Sequence, residues 1–95
     1  MPGIRVESWQ WDDGNREELA RHGLSPRTVR NVAYERPRFR RNRRGRTATH
    51  QMIGPDQGGK MWTICIFEIL GQPGLWRAVT GWEADPADVD WYRKW

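Results

Sequence analysis

Cysteine is almost absent from this 95-residue chain: the single Cys65 has no internal partner for a disulfide. With only two histidines, His22 and His50, it offers no metal cluster, so no metal site is expected. Phe and Tyr are scarce too, at two each, which leaves seven tryptophans to supply much of the large apolar surface a small domain must bury. Long apolar runs are missing. The longest, around Met61 to Leu70, is too short to cross a bilayer, and the start Met1-Pro2-Gly3-Ile4-Arg5 lacks the apolar run of a signal peptide. A cytoplasmic protein without a membrane partner is expected. Neither a glycine-rich phosphate loop, nor metal-ligand spacing, nor a serine nucleophile motif occurs, so any catalysis is expected to need no cofactor.

What the chain has in excess is positive charge, and it is unevenly placed. The formal net charge is +4, but residues 1 to 50 carry 12 basic and 6 acidic side chains while residues 51 to 95 carry 4 and 6. The excess is concentrated between Arg36 and Arg46, where seven arginines (Arg36, Arg38, Arg40, Arg41, Arg43, Arg44 and Arg46) occur without an acid. Guanidinium groups stay charged at physiological pH and pair bidentately with phosphate, so the segment has the footprint of a nucleic-acid-binding surface, with Phe39 available to stack on a base. A solvated basic loop, or a surface for an acidic protein, satisfies the same pattern.

Length sets one domain, residues 1 to 95, as the expectation. A short extended start, Ile4 to Trp11, precedes a helix that Asp12 or Asp13 can cap. Glu17 and Glu18 fall early in it, Arg21 and His22 late, and Gly23 stops it. Ser25-Pro26 opens a second, short helix with Val29, Val32 and Ala33 on one side. After Pro37 the arginine-rich segment leads through Gly45 into a β-like stretch from Arg46 to Ile53. Residues Met61 to Phe67 are apolar on both faces, as a central strand requires. Gly71-Gln72-Pro73-Gly74 reads as a hairpin loop before a strand from Leu75 to Trp82, and Asp85-Pro86 opens a closing helix. The expected fold is α+β: a short N-terminal strand, two helices, a three-stranded antiparallel sheet and a C-terminal helix.

From Trp11 to Tyr92 the chain resembles the BrnT toxins of bacterial type II toxin-antitoxin systems, relatives of the RelE-like ribonucleases. The matching blocks are Trp11-Asp12, the run Leu19-Ala20-Arg21-His22-Gly23-Leu24-Ser25, Arg46 through Ile53-Gly54, and Trp76-Arg77-Ala78-Val79-Thr80-Gly81-Trp82 with Ala84, Asp88 and Tyr92. Trp82 stands where the family carries an arginine. The resemblance implies a RelE/BrnT-like fold, an endoribonuclease toxin acting on RNA, and a cognate antitoxin protein as its partner.

Metal-free RNA cleavage needs a base for the 2′-hydroxyl, cations for the phosphate and an acid for the leaving oxygen. His50 is the candidate for proton transfer, because an unperturbed imidazole titrates near ~6.5. Arg46 or Arg77 are candidates for the phosphate, and Tyr92 or Lys60 for the acid. Arg46 and His50 lie about 13 Å apart along an extended strand, so they can line one groove but not grip one phosphate from adjacent positions. Each has a structural alternative: His50 as a strand residue bonded to a neighbour, Arg77 as an ion pair with Glu68 or Glu83, and Tyr92 as a packing residue. His22, at a helix end, reads as structural. The expected function is therefore a metal-independent endoribonuclease toxin. The alternative is a non-catalytic module that binds nucleic acid or a partner on the same fold.

Overall fold

A computed structural model describes residues 3–43 and 47–94 of the chain. Its elements follow the order β1 (Ser8–Trp9), α1 (Asp13–Ala20), α2 (Pro26–Tyr34), β2 (Arg38–Arg41), β3 (His50–Pro55), β4 (Met61–Glu68), β5 (Leu75–Glu83) and α3 (Pro86–Arg93). The strands form one five-stranded mixed sheet in the order β1-β5-β4-β3-β2, antiparallel except that β1 runs parallel to β5.

The helix boundaries sit where local chemistry puts them. Asp12 caps α1 by accepting from the Asn15 amide, and the Asn15 side chain accepts from the Asp12 amide in return. At the other end the Leu24 and Gly23 amides return to the carbonyls of Leu19 and Ala20, a closure that requires the left-handed backbone Gly23 adopts at φ 83°. Ser25 and Asp85 cap α2 and α3, each followed by proline in the first turn. The three N-terminal caps and the Gly23 turn match the expectations from sequence, but α1 ends at Ala20, so Arg21 and His22, expected late in the helix, lie beyond it.

Directly paired residues share a sheet face, so the register sorts the side chains. Met52, Ile64, Ile66 and Ala78 face one way and meet Leu19, Val29 and Val32 from α1 and α2; all seven are fully buried. Burying each such aliphatic side chain contributes roughly 1.5–3 kcal/mol against exposure, and this layer is the main core. Asn15 fastens α1 to it, donating from Nδ2 to the carbonyls of Gln10 and Ala78, both at 3.0 Å. Gln51, Ile53, Thr63 and Cys65 face the other way, and there α3 docks through Asp88. Cys65 is buried, as expected. No helix among the described residues is long and apolar enough to cross a membrane.

The sheet differs from expectation in its extent. The three antiparallel strands anticipated are β3, β4 and β5, but two more strands extend the sheet at its edges. β1 is only two residues long, held by Ser8 donating to the Gly74 carbonyl and Gln10 donating to that of Trp76. β2 is the larger correction. An arginine-rich segment carries little intrinsic strand signal and reads as a solvated loop. Here it pairs with β3 from Arg38 opposite Ile53 to Arg41 opposite His50, and Phe39 packs against the core. Gly54 makes room for the chain entering β2: a side chain there would approach the Pro37 Cα to 3.0 Å. The β-like stretch expected from Arg46 begins as a strand only at His50, and Arg46 itself lies outside the described residues.

Candidate nucleic-acid interface

Strand alternation splits the arginines of β2 between two faces. Arg38 and Arg40 pair with Ile53 and Gln51 and lie toward α3, while Arg41 pairs with His50 on the core-helix side. Arg40 is held at three points. Its Nη2 donates to Asp88 Oδ1 at 2.6 Å, its Nε donates to Gln51 Oε1 at 2.8 Å, and its guanidinium lies 4.9 Å from the centre of the Trp91 ring. The second oxygen of Asp88 accepts from the Thr63 hydroxyl at 2.7 Å. An arginine of the basic segment thus serves as the anchor of the closing helix. Arg38 lies over the Tyr92 ring at 5.8 Å, and the Tyr92 hydroxyl donates to the Arg36 carbonyl.

Beside this network runs a groove with a volume of about 690 Å³, within the range of small-ligand sites. Arg43, exposed, reaches it from the end of β2; Arg41, exposed on the edge strand with its side chain on the His50 face, borders it there, while Asp85, Asp88 and Trp91 come from α3 and Trp82 from β5. The groove joins cations, carboxylates and two indoles in one concavity. Arg44 lies outside the described residues, and Arg36, exposed, sits with Arg38 and Tyr92 around a separate concavity.

The proposed catalytic residues are dispersed. His50 sits on the core-helix face, edge-on to Trp76 at 5.8 Å, with Nδ1 2.9 Å from the Thr49 hydroxyl. Burial pushes its pKa below 6.5; the Arg41 cation adds to that lowering and Glu68 opposes it. His50 is therefore neutral at pH 7, with a cation and a carboxylate in its field. Lys60 stands at the opposite end of the β3–β4 ladder, about 17 Å away by strand rise. It lies 3.6 Å from Glu83 and 4.9 Å from the centre of the Trp62 ring. Tyr92 belongs to α3 across the sheet. Arg77 takes the ion-pair alternative with a partner other than the two anticipated. Its Nη1 and Nη2 donate to the two oxygens of Asp12 at 2.9 and 3.0 Å, and Nη1 also reaches Gln10 Oε1. Led by this hydrogen bond, Arg77 holds the Asp12 carboxyl down to about 2. His22 pairs with Glu18 at 3.2 Å, consistent with a structural place.

Asp85, Asp88 and Trp91 carry a signal that sequence alone contained, since spacings of three and six residues share a helical face. What the sequence did not contain was the surface that face would meet. Glu68, which acts on His50 from β4, is a similar case: their neighbourhood exists only through register. Groups of three or more His, Cys, Asp or Glu able to hold a metal ion are absent among the described residues. No protein-family model matches the chain, and no characterised protein matches it significantly.

Proposed function

We propose that this chain is an RNA-binding protein, built on the plan expected of a BrnT-like toxin, and that single-stranded RNA lies against the end of β2 and in the groove beside α3. One observation carries the reading: exposed Arg41 and Arg43 border a concavity that also presents Trp82 and Trp91. Cations that track a phosphate backbone next to aromatic rings that accept bases are the shared chemistry of single-strand binding. Anisotropy titration of a labelled single-stranded RNA across a salt series tests it. The double variant Arg41→Ala/Arg43→Ala is expected to bind more weakly. Its slope of log affinity against log salt should be shallower by about 1.4, from roughly 0.7 for each lost phosphate contact. Unchanged affinity and slope would remove these arginines from the interface.

A second reading, a metal-independent endoribonuclease neutralised by a cognate antitoxin, is favoured by His50. This neutral imidazole, suited to accept a proton, has the Arg41 cation and the Glu68 carboxylate in its field. Its test is incubation of a defined structured RNA with the protein in EDTA. The ribonuclease reading expects cleavage by the wild type that His50→Gln abolishes while RNA binding persists. Intact RNA in both reactions, beside an active control nuclease, leaves the binding reading alone.

A further inference from the structure

The groove contains a contradiction if phosphate is its only ligand. Arg41 and Arg43 attract a polyanion, yet Asp85 and Asp88 line the same concavity and repel one. Asp88 is neutralised where it stands, because one oxygen takes the Arg40 guanidinium and the other the Thr63 hydroxyl. Asp85 is different. It is exposed, and its Oδ1 accepts the Asp88 amide as the cap of α3. Its other oxygen has no such role in the cap.

Resting on the RNA reading above, we infer that the groove receives one unpaired guanine base, with the Asp85 carboxylate reading its Watson–Crick edge and Trp82 providing a stacking surface. A carboxylate is an acceptor only. Guanine alone among the four RNA bases presents two adjacent donors on that edge, the ring N1–H and the exocyclic amine. Adenine and cytosine each place an acceptor beside their amine, and uracil flanks its single N–H with two carbonyls. An acid in a basic groove is thus repulsive to phosphate and selective for guanine. The two charge types also come from different walls, the arginines from the end of β2 and the acid from the start of α3. A nucleotide spanning the groove sets its phosphate toward Arg41 and Arg43 and its base toward Asp85 and Trp82. Stacked, unpaired bases read on their Watson–Crick edges are the usual currency of sequence-specific RNA recognition.

The test uses labelled hexanucleotides, U3-X-U2 with X each of the four bases, in anisotropy titrations at low salt with the wild type, Asp85→Asn and Trp82→Ala. Asparagine caps a helix as well as aspartate does, so Asp85→Asn leaves α3 in place, which circular dichroism and melting verify. The wild type is expected to prefer X = G by about tenfold, the scale of one good bidentate base contact. Asp85→Asn should reduce that preference to within about twofold and bind the all-uridine strand more tightly than the wild type does, because a charge that repels phosphate is gone. Trp82→Ala should weaken binding of every strand. Equal binding of all four strands by the wild type, or an undiminished guanine preference in Asp85→Asn, overturns the guanine site and leaves RNA binding standing. No binding of any strand at low salt overturns the RNA reading and the guanine site with it.

Discussion

The Arg40 guanidinium meets the Asp88 carboxylate at 2.6 Å beneath the closing helix, joining the most basic segment of the chain to that helix. Gln51, Thr63 and Trp91 complete the contact, so α3 is held to the sheet largely by polar groups. Asp88 is the buried residue of that helix. An incompletely partnered charge in such a place is costly, whereas its replacement together with its partner is not. Asp88→Ala is expected to destabilise the fold by about 3 kcal/mol, because it leaves Arg40 without its counter-ion. Arg40→Met combined with Asp88→Leu should recover most of that loss. Urea unfolding of the wild type, Asp88→Ala and the double variant measures both; a double variant no more stable than Asp88→Ala would contradict the coupling.

The Arg77 and Asp12 pair gives a pH signature. Its folded-state carboxyl is lowered to about 2 from the ordinary 3.8, so its contribution to stability is complete above 3.8 and is lost as pH falls through about 2. Asp12→Asn keeps the cap of α1 while removing the charge. The melting temperatures of wild type and variant should therefore differ at pH 6 and converge toward pH 2. A difference that stays constant across that range would assign the loss to something other than ionisation.

His50 should titrate below the free-imidazole value, as burial and Arg41 require. Removal of Arg41 in Arg41→Ala is expected to raise its pKa, and Glu68→Gln to lower it further. Two-dimensional NMR of the imidazole resonances reads each shift directly. Since the folded pKa lies below the unfolded 6.5, the contribution of His50 to stability is present above 6.5 and is lost as pH falls through the folded value. Movement opposite in sign for either variant would show that the charges facing His50 are misassigned.

Asn15 holds α1 on the sheet with both hydrogens of its side-chain amide. Asn15→Ala strands the carbonyls of Gln10 and Ala78 and opens the reciprocal cap with Asp12, a loss of about 2 kcal/mol. Asn15→Asp keeps the acceptor for the cap and loses the two donors, so it should be no better than alanine. Thermal melts of the two variants decide this.

Local chemistry made the helices legible. Asp12, Ser25 and Asp85 declare their caps in the sequence, and Gly23 its turn, because each acts within a few residues of itself. The apolar run of β4 announced a central strand for the same reason. β2 was not legible, since arginines carry no strand signal of their own. Its pairing with β3 comes from partners such as Ile53 and Met52 that are distant in the chain. Residue type alone made His50 and Arg77 candidates, but said nothing of their surroundings.

The amino-acid sequence by itself determined where helices begin and end, which residues are apolar enough to form the core, and that positive charge would gather between Arg36 and Arg46. These properties depend on near neighbours and composition. Only the tertiary structure decided that Arg40 would turn inward to Asp88, that Arg77 would close on Asp12 rather than on Glu68 or Glu83, and that Asp85, Trp82 and Arg43 would share one groove. Such pairings follow from strand register and from the angle at which a helix crosses a sheet. A change of one residue in register moves a strand's side chains to the opposite face, so no local property of those residues could have fixed them.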